Sequence, residues 1–355
     1  MSYQLLHIQK NTMDGKRFFV RYAMLIKPNA NVRYYQSLQK LALIELECQL
    51  EAWGIDAIPE ITNIQDEPFL TFETENMTEA AWSAISRHSS VCFTAEIQGE
   101  TLLPLMRNHS SYMADDLPQV LKYKGKTNSD FTLMMLHCAK AASAFATETR
   151  PLCVLDPLCG KGTTLFCALQ EGHHAIGVEL DSKAITESDV YFSRYLKFHH
   201  WKHKREMLSH TLVKGKSVKV ISYTIAKSAD EMKQGDTRSL SLINGDATKL
   251  DQLVKKERAD LIISDLPYGV QHAPKEGKGI SSLQKLVNDL ASAIEKSLKR
   301  GGAVALSFNS YTLSRKHVAQ ALADAGLEVM ENRPYNDFSH WVEQAVERDV
   351  VIARK

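Results

Sequence analysis

The sequence predicts an α/β protein: a doubly wound parallel sheet preceded by a smaller α+β module. Three observations carry this. From Pro151 onward, apolar runs of strand length alternate with helical runs. The helical runs 282–302 and 315–326 end in glycine, where helix C-caps belong. The turn "LDPLCGKGTT" at 155–164 joins a strand to a helix, the place where doubly wound sheets take ligands. A chain of 355 residues is long enough for two domains, and 44% apolar with 24% charged residues is the composition of a globular chain with a sizeable core.

In chain order, "RFFVRYAMLI" reads as a strand that ends at Lys27-Pro28-Asn29. Residues 32–54 read as a helix with Leu38, Leu41, Ile44, Leu46 and Leu50 roughly on one face and Gly54 as its stop. "PFLTFET" is a strand, "TEAAWSAISRHS" a helix and "VCFTAEIQG" a strand. This first domain spans 1–106; a polar linker covers 107–130, and the second domain spans 131–355. In the second domain 131–146 reads as a helix, followed by the strand "PLCVLDP", the helix "TTLFCALQEG" and the strand "HAIGVELD". "SLSLINGDA", "ADLIISDLPYG", "GAVALSFN" and "DVVIARK" are further strands.

Composition excludes several classes. A net charge of +1 leaves no global field for a polyanion, so any nucleic-acid surface must be local. The six cysteines contain no C-x-x-C pair and read as reduced, buried thiols; no residues stand at zinc spacing. Neither a signal-peptide pattern nor a membrane-spanning run is present, so a cytoplasmic protein is expected. One segment breaks the alternation: the basic stretch 194–219 with Trp201 interleaved. Two readings stay open there, a solvated helix and hairpin, or a local surface for nucleic-acid phosphates with an aromatic to stack on.

The glycine turn is informative through what it lacks. In a Walker A loop the lysine directly follows the last glycine and precedes Ser/Thr, so that amides and ammonium converge on phosphate. Here Lys161 precedes Gly162 and Thr163 follows it. The dinucleotide fingerprint fails too, because Leu165 occupies the third glycine position. A carboxylate at the strand tip, Asp156, suits a cationic ligand better than pyrophosphate.

Three acids end successive strands: Asp156, Glu179 and Asp246. Each alone is an ordinary helix N-cap or surface residue. Together they describe a ligand gripped along a sheet's rim. Glu179 would accept from ribose hydroxyls, and Asp246 with the Ala247 amide would read adenine. S-adenosylmethionine fits that description better than NAD. The fourth strand ends "SDLPYG", where Pro267 stops the strand and Tyr268 offers a flat ring. An exocyclic base amine is a poor nucleophile because its lone pair is delocalised into the ring. Acceptors for its N–H groups, the Asp265 carboxylate and the Leu266 carbonyl, favour a pyramidal nitrogen with that pair free. Tyr268 stacking would fix the base, and the reaction needs positioning rather than a metal.

"LDPLCGKGT", "GVELD", "INGDA" and "SDLPYG", in this order, resemble the S-adenosylmethionine-dependent amino-methyltransferases of Rossmann-like fold. More narrowly they resemble the RNA methylase group that includes the tRNA guanosine N2-methyltransferases. "KYKGKTNSDF" resembles the segment preceding the helix that covers the cofactor in these enzymes. The resemblance covers about Tyr123 to the C-terminus. It implies that Asp156, Cys159, Gly160 and Gly162 lie at the methionine moiety and Glu179 at the ribose. Asp246 and Ala247 would lie at the adenine, and Asp265, Leu266, Pro267 and Tyr268 at the target base. The sequence departs from the usual Asp/Asn-Pro-Pro-Tyr in Leu266, which still supplies a carbonyl. Asp rather than Asn at its first position favours guanine N2 in RNA, with tRNA the expected partner. DNA adenine N6-methylation and a non-catalytic RNA-binding subunit of the same fold are the alternatives. A small activating partner subunit stays open.

Overall fold

Two sheets organise the chain in the computed structural model, which describes residues 19–29, 31–107, 111–121, 123, 126–211, 217–268 and 278–355. The first module contains β1 (Val20–Ile26), α1 (Val32–Ala52), β2 (Glu60–Ile64), β3 (Glu67–Thr74), α2 (Glu79–Ile85), β4 (Val91–Gln98) and β5 (Thr101–Pro104). Its sheet is antiparallel in the order β2-β3-β1-β4-β5. The β2–β3 hairpin turns on Gln65 and Asp66, both at positive φ (52° and 65°), with none of the Asn-Gly chemistry that usually advertises such a turn. That is why β2 is not apparent in the sequence.

Helix α1 departs from the single face expected of it. Ala42, Leu46 and Leu50 pack into the module's core with Phe72 and Ile85, whereas Leu41, Ile44 and Cys48 pack into the core of the second domain. A helix held between two layers is apolar on two sides, so its periodicity blurs. The Asn31 side chain accepts from the Tyr34 amide and caps its start.

The expected linker is partly core. Met113 and Leu117 are wholly buried, Leu117 opening the short α3 (Leu117–Val120), and the Tyr112 amide donates to the Gln170 carbonyl (2.8 Å). Helix α4 (Ser129–Ala142), capped by Asn128, then packs against both α1 and the large sheet.

That sheet is built from β6 (Cys153–Asp156), α5 (Thr163–Gln170), β7 (His174–Glu179), α6 (Ser182–Phe198), β8 (Lys202–Thr211), β9 (Ser217–Ala226), α7 (Ala229–Gln234), β10 (Arg238–Asn244), α8 (Leu250–Leu253), β11 (Ala259–Asp265), α9 (Lys278–Ser297), β12 (Leu298–Asn309), α10 (Arg315–Asp324), β13 (Glu328–Val329), β14 (His340–Glu343) and β15 (Val346–Arg354). The order is β13-β15-β12-β11-β6-β7-β10-β9-β8, with β14 on β15. The five central strands β12, β11, β6, β7 and β10 are parallel; from β6 the chain adds strands first toward β7 and β10 and then on the other side as β11 and β12, which makes the tips of β6 and β11 the switch point. β11 is buried on both faces, as a central parallel strand must be.

The doubly wound class is present, with one correction: the sheet is parallel only at its centre. β15 and its neighbours close one side antiparallel, and β9 and β8 the other. The basic stretch therefore extends the sheet rather than decorating it. Trp201, expected as an exposed stacking platform, instead lies 5.4 Å from the Tyr112 ring against the core. Arg205 is paired with Asp189 at 2.8 Å and Lys204 with Glu206 at 2.9 Å. Five cysteines are buried free thiols as expected, but Cys92 is exposed. Among the described residues, no helix is long and apolar enough to cross a membrane.

A buried charge cluster joins the module to the sheet. Glu45 of α1, 0% exposed, accepts from the Ser89 amide (2.9 Å) and hydroxyl, and its Oε1 lies 2.7 Å from His137 Nδ1 on α4. His88 Nδ1 accepts from the Ser90 amide (3.1 Å) while Nε2 faces the Ala42 carbonyl (2.9 Å). That geometry makes His88 a neutral imidazole, in keeping with burial, which pushes its pKa down. The positive charge opposite Glu45 is therefore on His137. Burial opposes that charge, but Glu171 (3.7 Å from Nε2) and Glu45 raise His137 to about 9. Burial alone would raise Glu45; the charged His137 and the Ser89 hydroxyl hold it down, at about 2.

Candidate active site

The loop after β6 is shaped by two glycines at positive φ, Gly160 (51°) and Gly162 (96°). It is stitched to the neighbouring strand by the Cys159 amide donating to the Val178 carbonyl (3.0 Å). Among the described residues a Cβ on Gly160 would meet nothing within 4 Å, so the loop presents bare backbone there. A Cβ on Gly177 would come within 2.5 Å of Leu165 and 2.7 Å of Cys159 Sγ, so only glycine lets β7 pass beneath the loop. Gly177 stands in the motif "GVELD", whose pattern alone does not disclose this task. Lys161 is turned away, paired with Glu187 and 4.8 Å over the Tyr123 ring. The loop is thus no phosphate cradle.

Glu179 and Asp246 stand on adjacent strand tips. Glu179 Oε2 accepts from the Gly160 amide (3.0 Å) and Oε1 from the Asp181 amide (2.8 Å), which ties the second tip to the loop. Asn244 pairs in register with Glu179 and donates from Nδ2 to the Glu179 and Leu180 carbonyls, both at 3.0 Å. Asp246 Oδ1 accepts from the Thr248 amide (3.0 Å) and hydroxyl (2.7 Å), capping a 3-10 turn that begins at buried Ala247. Asp156 is placed differently from these two. It is 3% exposed and lies beneath the loop, accepting from the Leu158 amide (3.0 Å) and the Ser264 hydroxyl (2.8 Å); burial lifts its pKa to about 6. It shapes the loop from below and links β6 to β11.

Across the switch point, Asp265 ends β11. Its carboxylate accepts from the Ser307 hydroxyl, from Thr127 Oγ1 (2.5 Å) and from the Tyr268 hydroxyl (2.8 and 3.0 Å). The Tyr268 oxygen in turn accepts from Arg348 Nε (2.6 Å). Leu266 is 1% exposed and its amide donates to the Ser307 carbonyl (2.8 Å); Pro267 is exposed. The sequence led us to expect an open carboxylate and a ring offered flat to a base. The structure turns Tyr268 inward onto Asp265, and burial together with that carboxylate pushes its phenol pKa well up. Gly269, expected to permit the turn, lies outside the described residues.

Four residues of this pocket were not legible beforehand. Thr127 precedes α4, Ser307 is on β12, Arg348 is on β15 and Phe131 on α4 holds its ring 4.4 Å from the Arg348 guanidinium. They converge through strand pairing, Ser307 with Val350 and Asn309 with Arg348, which no local pattern encodes. The signals available are the segment "KYKGKTNSDF", which contains Thr127 and Phe131, and an arginine just before the apolar run of β15. Tyr34, near the start of α1, lies close enough to sense the Arg348 charge, so the first module borders the pocket.

Residues 136–334 match the family model described as RMKL-like, methyltransferase domain. The chain belongs to this family. The resemblance read from the four motifs is thereby borne out, and the cofactor of this RMKL-like methyltransferase is S-adenosylmethionine. The site fits that group: the loop presents bare backbone at Gly160, two carboxylates stand on adjacent tips, and the only lysine of the loop is engaged elsewhere. No curated protein matches the chain significantly in sequence. Among solved structures it is similar to TrmN from Thermus thermophilus, at 17% identity and TM-score 0.38, covering 84% of this chain and 60% of that one. It is also similar to a TehB-like SAM-dependent methyltransferase from Corynebacterium glutamicum, at 16% identity and TM-score 0.35, covering 63% of this chain and 86% of that one. A ribosomal protein L11 methylase from Lactobacillus delbrueckii subsp. bulgaricus gives 14% identity and TM-score 0.35, covering 64% and 80%.

Proposed function

We propose that this methyltransferase modifies RNA at an exocyclic base amine, specifically N2 of guanine in tRNA. The observation that carries the reading is the Asp265-Leu266-Pro267-Tyr268 segment at the tip of β11, beside β6 and its glycine loop. S-adenosylmethionine supplies an electrophilic methyl group on a sulfonium. The Gly160 and Gly162 backbone, held by Cys159 from the side and Asp156 from below, would lie along its methionine part. Each Glu179 oxygen already accepts one amide but has a second lone pair, so the carboxylate can still take two ribose hydroxyls. Asp246 and the Ala247 amide would read the adenine.

Asp265 and the Leu266 carbonyl accept the N–H groups of the target amine, which directs its lone pair at the methyl. For this the Tyr268 hydroxyl must leave Asp265, and its ring is then free to stack on the base. Pulling a base from its stack costs a few kcal/mol, and one aromatic stacking contact returns about 1–3 kcal/mol. The first module, bordering the pocket at Tyr34, would hold the RNA. Unmodified tRNA transcripts and duplex DNA, each given labelled cofactor, test the reading by nucleoside mass spectrometry. N2-methylguanosine in tRNA is the expected product, and label only in DNA, as N6-methyladenine, would reject it. The occupied state of the Asp265 carboxylate favours a second reading, an RNA-binding subunit without chemistry. RNA binding with no turnover, unchanged in Asp265→Ala, would establish that instead.

A further inference from the structure

Arg348 is 6% exposed, and burial of a guanidinium is expensive unless a partner compensates. Other, more exposed arginines of this domain meet a carboxylate directly: Arg205 with Asp189 at 2.8 Å, Arg315 with Asp349 at 3.0 Å, Arg150 with Asp260 at 3.1 Å. Arg348 does otherwise. Among the described residues its hydrogen bond goes to a neutral phenol, whose oxygen stands between it and the Asp265 carboxylate. Burial works against its charge, while Asp265 and Tyr268 favour it, so the guanidinium stays protonated. Phe131, 4.4 Å away, braces the group from one side. A residue present only to hold the fold would be served better by a direct carboxylate.

The Tyr268 oxygen donates toward Asp265 and accepts from Arg348. Once it withdraws, a carboxylate acceptor and a guanidinium donor face each other across the space it filled. The Watson–Crick edge of guanine offers matching groups in the same sense, N–H donors at N2 and N1 and an acceptor at O6. Arginine is also well suited to a guanine O6. We propose that Arg348 is a substrate-recognition residue of this pocket, taking the ring carbonyl of a 6-oxopurine while Asp265 takes its amine. The assignment rests on the guanine-N2 reading above.

The test replaces the mapped target guanosine in a ligated tRNA transcript by 6-thioguanosine, which keeps the 2-amine and the N1–H and replaces the oxo acceptor by a weakly accepting sulfur. The wild type should prefer guanosine by roughly 10- to 100-fold in kcat/KM, the range of one hydrogen bond to a charged group. Arg348→Met should bring the two substrates within about threefold of each other, with Arg348→Lys in between. The ratio is taken within one preparation, so it is independent of how much of a variant is folded. Equal rates in the wild type, or full guanosine preference retained in Arg348→Met, overturn the assignment and leave the N2 reading standing. Variants inactive on both substrates also overturn it, because they place Arg348 in folding or rate rather than discrimination. A wild type that forms no N2-methylguanosine in tRNA fails the earlier reading, and this one falls with it.

Discussion

At the seam between the module and the large sheet, Glu45 meets His137 at 2.7 Å, and two further bonds from Ser89 complete its carboxylate. At the tip of β11, Asp265 meets Arg348 only through the Tyr268 hydroxyl. Both are buried pairs of opposite charge. In the first, the carboxylate is met directly by an amide, a hydroxyl and an imidazole of this chain. In the second, one neutral hydroxyl fills the gap between the charges, and a ligand with the same donors and acceptors can take its place. A cluster of the first kind is suited to holding two bodies together, and one of the second kind to exchanging partners.

The largest effect should come from breaking the exchanging cluster. Asp265→Ala is expected to lower methyl transfer by about 10³-fold or more, as loss of a preorganised polar group at a reacting centre does. Cofactor affinity by equilibrium binding should change less than about threefold. Turnover that survives this change would place the chemistry elsewhere. Breaking the holding cluster should act on stability instead. Glu45→Ala strips His137 of its closest partner, and removing one member of a buried pair costs about 3–5 kcal/mol, read by denaturant unfolding. Should Glu45→Ala leave stability unchanged and reduce methyl transfer, the two clusters have been assigned the wrong way round. Glu179→Ala, on the cofactor's rim, should weaken S-adenosylmethionine binding about 10- to 100-fold by calorimetry, with a smaller effect on turnover at saturating cofactor.

The smallest effect is one of pH. His137 is raised from 6.5 to about 9, so its contribution to stability is complete below about 6.5 and is lost as pH rises toward 9. Glu45 is lowered from 4.5 to about 2, so its contribution is complete above about 4.5 and is lost as pH falls toward 2. Asp156, raised from 3.8 to about 6, has the opposite sign and makes stability fall as pH climbs through that interval. Above pH 6.5 it is ionised in folded and unfolded chains alike, but the buried thiols, raised above 9.0, and the histidines lowered by burial also act in this range, so the His137 contribution is the difference between wild type and His137→Gln. Urea midpoints should decline from pH 6.5 to 9 in the wild type, and the decline should flatten in His137→Gln.

What the sequence discloses follows from the range of the interactions involved. The strands β6, β7, β10 and β11, the glycine loop and the acids at their tips are written in contiguous segments, because apolar runs and turn residues act locally. The pairing of β9 with β10, the two faces of α1 and the Tyr268–Arg348 bond depend on residues far apart in the chain. Leu46 and Ile44 look alike in a helical pattern yet belong to different cores. Glu45 reads as an ordinary solvated acid until α4 brings His137 against it. The turn at Gln65 and Asp66 was hidden for a different reason, since neither residue announces a positive φ.

Helix α1 gives the molecule a fixed length scale. Glu45 clamps its middle to α4, and Tyr34, eleven positions earlier, stands beside the pocket, about 16 Å away at 1.5 Å per residue. On the reading proposed above, RNA held by the first module is presented to Asp265 at one reach. Adding or deleting a turn of helix between those two residues would change which nucleotide arrives there before it changed the chemistry.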